Sequence, residues 1–340
     1  MPDTPFDSKQ KPVWCPGCGD YGIMAALKQA FASLSLKPHQ IVIVSGIGCG
    51  SKLPDYVHAY GYMSIHGRPL AVATGVKLAN PELTVVVVDG DGDAYGIGGN
   101  HLIHTARRNM DITHIVQNNQ VYALTKGQFS PTTERGRRTS TSPFGVIEEP
   151  IMPLALALAA GATFVARGAA FDPRYTAGLM AEAMSHSGYA LLDVLQPCVS
   201  FNKINTYEWY RQRVYKVEER AQECPAGRQQ GVGQGEDQCG DQAGGPADDQ
   251  CGDQAGGPAD DQCGDQGDDG RANSHDSGDF QAAMKLAREW GDRIPLGVIY
   301  RRTEEPYHSL LPGLARGPLP ARPLDDVGAD GFSRLLDGYA

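Results

Sequence analysis

Val86-Val87-Val88-Asp89-Gly90-Asp91-Gly92-Asp93, answered downstream by Asn118-Asn119, is the most telling stretch of this 340-residue chain. An apolar β-branched run that stops at Gly-Asp-Gly reads as a buried parallel strand ending in a tight turn. The carboxyl ends of such strands are where open α/β sheets bind ligands. Glycine lets a backbone approach a ligand closely, and Asp91 offers a hard oxygen suited to Mg²⁺. One βα unit later, Ile112 to Gln117 reads as a second strand that brings Asn118 and Asn119 to the same edge. A carboxylate and an amide oxygen meeting there suit a Mg²⁺-bridged diphosphate, whose own oxygens complete the octahedron.

Working outward, strand-like runs alternate with helix-like runs, the pattern of a mostly parallel α/β sheet with helices on both faces. The expected strands are Ile41 to Val44, Thr84 to Val88, Ile112 to Gln117, Thr163 to Ala166, Ala190 to Leu195 and, near the end, Pro295 to Arg301. Helical spacing of apolar positions runs over Asp20 to Phe31, Gly67 to Leu78, Gly98 to Arg108, Pro173 to Met184 and Phe280 to Trp290. The Gly/Pro/Thr-rich stretch from Thr125 to Glu149 reads as a long functional loop just past the paired Asn.

Three further features bound the reading. The formal net charge of −10 comes from one tract: residues 229–270 hold eleven acids and no Lys or Arg, leaving 29 acids against 30 bases elsewhere. Neither a nucleic-acid footprint nor a membrane span is present in the sequence, and the polar start Met1 to Val13 lacks an apolar core, so a cytoplasmic protein is expected. Within the acidic tract a twelve-residue unit starts at Asp237, repeats from Asp249 and begins again at Asp261. With almost no apolar surface it is expected to be a disordered insert over 229–277, dividing a main domain (1–228) from a C-terminal segment (278–340) that completes it. Its Cys239, Cys251 and Cys263 read as copied passengers rather than metal ligands.

Of the other cysteines, Trp14-Cys15-Pro16-Gly17-Cys18-Gly19 is a C-x-x-C in a Pro/Gly turn, Cys49 follows one expected strand and Cys198 ends another. Strand ends of one sheet share an edge, so these four can meet. Four thiolates fit a [4Fe–4S] cluster or tetrahedral zinc, and spacing alone leaves both open beside a redox C-x-x-C. His66 reads by composition as a turn or surface residue, Lys126 as a solvated loop lysine, and Val121 to Leu124 as a buried turn. His101 and His104, three apart on one helical face, read as packing or capping residues rather than a metal pair. Arg135, Arg137 and Arg138 suit either coenzyme A phosphates and an acidic protein or a solvated loop.

The paired motifs Gly90-Asp91-Gly92 and Asn118-Asn119 resemble the diphosphate signature of thiamine-diphosphate enzymes. With Gly96-Ile97-Gly98-Gly99-Asn100-His101, Arg107-Arg108-Asn109 and Leu124-Thr125-Lys126-Gly127-Gln128-Phe129-Ser130-Pro131-Thr132-Thr133, the chain resembles the β subunit of 2-oxoacid:ferredoxin oxidoreductases over residues 10–220 and 278–312. The resemblance implies the thiamine-diphosphate-binding fold and oxidative decarboxylation of a 2-oxoacid with coenzyme A, electrons leaving through a [4Fe–4S] cluster to ferredoxin. Its loop favours 2-oxoglutarate ahead of pyruvate. By the same resemblance Cys15, Cys18, Cys49 and Cys198 ligate the cluster. Asp91, Asn119 and the Val121 carbonyl ligate Mg²⁺. Gly92, Asp93, Ala123, Leu124, His66 and the loop Ile47, Gly48, Cys49, Gly50 line the cofactor, and Lys126 pairs with the substrate carboxylate. No Glu stands in a motif suited to activating the thiamine aminopyrimidine. The family draws that residue from an α subunit, so this chain alone is expected to be inactive. A non-redox thiamine decarboxylase or carboligase would explain Gly90 to Asn119 but leave the four cysteines without purpose; an electron-transfer module holding only the cluster is the non-enzymatic alternative.

Overall fold

The computed structural model describes residues 4–218 and 275–311, together with Pro318. Cys224, the repeat cysteines and the expected disordered insert up to residue 274 lie outside the described residues. Ten strands are present among them: β1 (Ile41–Ser45), β2 (Tyr60–Met63), β3 (Thr84–Gly90), β4 (Ile112–Asn118), β5 (Val121–Tyr122), β6 (Gln128–Phe129), β7 (Phe164–Ala169), β8 (Tyr189–Leu195), β9 (Val214–Lys216) and β10 (Ile294–Arg301). The helices are α1 (Asp20–Ser33), α2 (Pro69–Ala79), α3 (Gly99–Arg107), α4 (Pro153–Ala159), α5 (Pro173–Ser185), α6 (Tyr207–Arg211) and α7 (Phe280–Ala287).

Eight strands form one sheet in the order β2-β1-β3-β4-β8-β7-β10-β9, and β5 and β6 pair as a small hairpin. Six neighbouring strands, from β2 to β7, run parallel; β10 is antiparallel to β7 and parallel to β9. The alternation expected of strands buried on both faces is visible within β3. Val85 and Val87 join the core beneath α2, α3, α4 and α7, while Val86 and Val88 join the core beneath α1 and α5. Burial of both strand faces is what the continuous valine run required. The segment after the repeats is part of the same body, with β10 in the sheet and Ala283, Leu286 and Ala287 of α7 in its core.

Six elements escape a periodicity reading: β2, β5, β6, β9, α4 and α6. β2 is an exposed edge strand, and α4 (Pro-Leu-Ala-Leu-Ala-Leu-Ala) is apolar all round, so neither shows the contrast that periodicity needs.

The tight turn expected at Gly90-Asp91-Gly92 is not what forms. β3 runs on to Gly90, Asp91 starts a π-helical turn over Gly92–Ile97, and α3 follows at Gly99. Widened turns of this kind concentrate at functional sites. Here the turn carries the Asp93 carboxylate back toward the loop after β1. The close approach it demands explains Gly92: a Cβ there would lie 2.2 Å from the Tyr122 ring, whose hydroxyl donates to the Gly92 carbonyl at 3.0 Å.

Candidate active site

From β1 the chain turns to β2 on one side, and from β3 it proceeds to β4 on the other, so the β1–β3 boundary is a switch point of the sheet. Crevices form at such points because the connecting segments diverge. A cleft opens there. It is lined by Ile47, Gly48, Cys49 and Gly50 after β1, by Asp91, Gly92 and Asp93 after β3, and by Asn119, Val121, Ala123 and Leu124 after β4, with His66 on its wall. All the residues expected to hold the cofactor and Mg²⁺ are therefore brought together. Asp20, Gln117, Tyr122 and Thr125 line it as well and were missed. No Glu is among the described residues lining it.

Asp91 is 1% exposed. Its Oδ2 accepts from the Thr132 hydroxyl at 2.6 Å and from the Ser130 hydroxyl, so the Ser-Pro-Thr-Thr part of the long loop folds directly onto it. Burial raises its carboxyl to about 6 against the help of these neutral donors, and no described cation forms an ion pair with it. A buried carboxylate with hydroxyl support but no counter-charge has the character of a cation ligand. The Asn119 side-chain oxygen accepts from the Val121 N–H at 3.0 Å, which closes the turn that places Asn119 and Val121 beside each other. Gln120 between them takes a positive φ of 59°.

Asp93 lines the cleft, but its hydrogen bonds face the surrounding backbone. Its Oδ1 accepts from Gly67 N (2.8 Å), Ile47 N (3.3 Å) and His66 Nδ1, tying three segments together. Burial and the nearby Asp89 raise its carboxyl. Asp93 thus lines the cleft, as expected of a cofactor neighbour, and its Oδ1 also clasps the segments that shape it. The paired His66 keeps Nε2 as its other ring nitrogen.

The four expected cluster ligands, Cys15, Cys18, Cys49 and Cys198, line a second cavity of about 270 Å³. Cys49, Asn119, Ala123 and Leu124 belong to both cavities, so the two adjoin. The Trp14 indole N–H donates to the Cys49 carbonyl at 2.7 Å, fixing the C-x-x-C turn against the β1 loop. Gln196 Nε2 donates to Cys18 Sγ at 3.2 Å, and the Ser200 hydroxyl donates to Cys15 Sγ at 3.1 Å. Burial raises the Cys49 thiol to about 11 and Cys18 still further, with Asp20 and the other thiols adding to both. Among the described residues no three His, Cys, Asp or Glu side chains converge on a point that holds a single metal ion. Asp20, the first residue of α1, is buried, receives the Cys18 thiol at 3.4 Å and is raised to about 7 by desolvation.

Lys126 lines the thiol cavity rather than the cleft, and Lys52, which sequence reading passed over, lines it too. Of the loop arginines, Arg137 is buried and donates to Asn205 Oδ1 at 3.2 Å, while Arg135 pairs with Glu149 at the surface. Arg137 thus holds the loop to its neighbour instead of standing free for a ligand. His101 accepts a contact from Arg68 at 2.9 Å, a surface packing role as expected.

Residues 39–194 match the thiamine pyrophosphate enzyme C-terminal TPP binding domain. Residues 198–225 and 269–316 match the C-terminal region of the pyruvate ferredoxin oxidoreductase beta chain family, with the repeats in the gap. The chain is 42% identical over 287 residues to 2-oxoacid:ferredoxin oxidoreductase 1, subunit beta, of Aeropyrum pernix, spanning 84% of this chain and 77% of that one. It is 49% identical to 2-oxoglutarate oxidoreductase subunit KorB of Mycobacterium tuberculosis over 197 residues, 58% of this chain and 53% of that one. A solved 2-oxoglutarate:ferredoxin oxidoreductase from Magnetococcus marinus, with 2-oxoglutarate, coenzyme A and succinyl-CoA bound, superposes with a TM-score of 0.75 at 32% identity, covering 99% of this chain and 96% of that one. Fold and cleft define a thiamine-diphosphate enzyme of the α/β class. Within that class, the chain belongs to the family of 2-oxoacid:ferredoxin oxidoreductase β subunits.

Proposed function

We propose that this chain, with an α subunit, catalyses the coenzyme A-dependent oxidative decarboxylation of 2-oxoglutarate, with pyruvate the next candidate and ferredoxin taking the electrons. The carrying observation is the shared wall: Cys49, Asn119, Ala123 and Leu124 face both the cleft and the four-thiol cavity, putting a carbon-chemistry site against an electron acceptor. When bound, thiamine diphosphate supplies an electron sink for loss of CO₂ and a [4Fe–4S] cluster accepts electrons singly. The donors present suit both groups. Asp91 and Asn119 offer side-chain oxygens and Val121 its carbonyl to Mg²⁺, and the four thiols line one cavity, as the ligands of a cluster must.

The chain's own residues then have separate tasks. Ser130 and Thr132 hold the Asp91 carboxylate in place, as outer hydrogen bonds do for metal ligands. Asp93 clasps Ile47, His66 and Gly67 and so fixes the His66 ring on the cleft wall. Lys126, just past the shared wall residues Ala123 and Leu124, is assigned to the substrate carboxylate. Cys15, exposed at the cavity rim, marks the side from which electrons leave. The absent glutamate is assigned to the α subunit. Residues 229–277 are proposed as an insert, because the family match is interrupted at 226–268. No helix among the described residues is long and apolar enough to cross a membrane. A cytoplasmic location belongs to the same proposal, since free thiols and a cluster require a reducing compartment.

Co-expression with the α subunit, anaerobic purification, and measurement of iron, thiamine diphosphate and 2-oxoglutarate-dependent, coenzyme A-dependent ferredoxin reduction test it. A brown complex with that activity is expected. A colourless complex containing zinc would remove the redox reading and favour a non-redox decarboxylase.

A further inference from the structure

Asn119 and Val121 line the cofactor cleft, but the alternate residues Asn118 and Gln120 line a different cavity of about 80 Å³, several times the space one water needs. Its walls include Arg167 of β7, Met152 and Trp290, with Arg288 also lining it. Arg167 is 1% exposed, and its only hydrogen bond among the described residues runs from Nε to Asp193 Oδ2 at 3.3 Å. Nη1 is buried without a partner. The Gln120 side chain makes no hydrogen bond among the described residues, and its Oε1 is likewise buried and unpartnered. Trp290 lies against the guanidinium, 5.4 Å from ring centroid to Cζ, which supports the charge without satisfying its N–H groups.

The guanidinium fork has Nε in use and Nη1 buried and open. A buried donor left without an acceptor is costly, and the acceptor that matches the fork's free end is a planar oxyanion taken by two parallel N–H groups. The carboxylates nearby are already engaged. Asp193 Oδ1 accepts from Tyr95 (2.8 Å) and Asn118 (3.1 Å), Glu289 accepts from the Tyr215 hydroxyl (2.5 Å), and Glu134 accepts from the Trp290 indole N–H (2.9 Å). We propose that this cavity binds a small planar oxyanion, a short-chain carboxylate or bicarbonate, with two oxygens on the Arg167 guanidinium and its body against Met152 and Trp290. Such a ligand would report to the catalytic end. Asn118 donates to Asp193, and its Oδ1 competes with Asp91 Oδ2 for the one proton of the Thr132 hydroxyl, at 3.0 Å against 2.6 Å. The binding stands apart from the cofactor assignment; only this connection to Asp91 leans on it.

The assembled complex is titrated calorimetrically with sodium acetate and, separately, sodium bicarbonate at constant ionic strength, with sodium chloride as the control. Saturable binding of one anion per β chain is expected, and the tighter of the two identifies the source. Arg167→Lys keeps a cation beside Asp193 but loses the fork, and binding should weaken about tenfold or more. Should that variant fail to fold, Met152→Trp carries the test, because the position is 43% exposed and a larger ring there closes the cavity. Loss of binding in Met152→Trp supports the site. No saturable binding by either anion, equal binding of chloride, undiminished binding in Met152→Trp, or a crystal soaked in both anions that shows only water between Arg167 and Gln120 would each overturn it.

Discussion

Replacing Asp91 by Asn separates the catalytic from the structural worth of this carboxylate. In the cation-free protein, burial lifts its carboxyl from an ordinary 3.8 to about 6. A folded-state value above the unfolded one means that the native state holds the proton more tightly, so stability falls as pH rises from about 4 to 6 and stays reduced above that. A shift of that size corresponds to about 3 kcal/mol. Asn keeps an oxygen to accept from Ser130 and Thr132 but carries no charge, so it escapes the penalty. The cation-free Asp91→Asn complex is therefore expected to be more stable than wild type by about 1–3 kcal/mol at pH 8, with the gap closing near pH 4. Its retention of Mg²⁺ and thiamine diphosphate should fall about a hundredfold or more, since removing even an outer-shell partner costs about 10–100-fold. Thermal unfolding of the EDTA-treated complex at both pH values, with calorimetric titration of the cofactor, measures both effects. Wild-type cofactor affinity, or a loss of stability equal at pH 8 and pH 4, would refute the reasoning and make Asp91 a purely structural acceptor.

Cys198→Ala should remove the visible absorbance and most of the iron while leaving thiamine diphosphate bound; unchanged iron content would exclude it as the fourth ligand. Lys126→Ala should raise KM for the 2-oxoacid while leaving the iron content unchanged; an unchanged KM would assign the lysine elsewhere. Thr132→Val, which removes a donor to Asp91 without changing its bulk, should weaken cofactor retention about 10–100-fold with little change in melting temperature. Deleting residues 234–270 should leave ferredoxin reduction intact, and an inactive complex would show that the repeats belong to the working protein.

Much of the architecture is legible because its causes are local. β3 announces itself as a continuous apolar run and β4 as a β-branched one, and α1, α2, α3 and α5 show helical spacing because each offers only one face to the sheet. The register Gly90 against Gln117 follows from parallel pairing and puts Asp91 and Asn119 at one edge, as the motif spacing implied. Less legible are groups whose role depends on who arrives beside them. Asp20 sits at the start of a helix like many first-turn acids, yet it lines the cleft and takes the Cys18 thiol of the adjoining cavity. Ser130 and Thr132 occur in an ordinary Ser/Pro/Thr loop, and only the folding of that loop over β3 makes them donors to Asp91.

By itself the sequence determined the main alternation of buried strands and covering helices, the chemistry available at each strand end, and the presence of four cysteines at positions that one sheet edge can gather. Those properties are written in runs of a few residues, where side-chain periodicity and backbone permissiveness act. The tertiary structure alone decided which groups share a cavity. It made Asp93 a clasp as well as part of the cleft wall, put Lys126 and Lys52 on the thiol cavity, and buried Arg167 with its Nη1 unpartnered beside Asn118 and Gln120. Hydrogen-bond partners and desolvation depend on segments as far apart in the chain as 93 and 47, or 167 and 290, and no local pattern encodes where such segments meet.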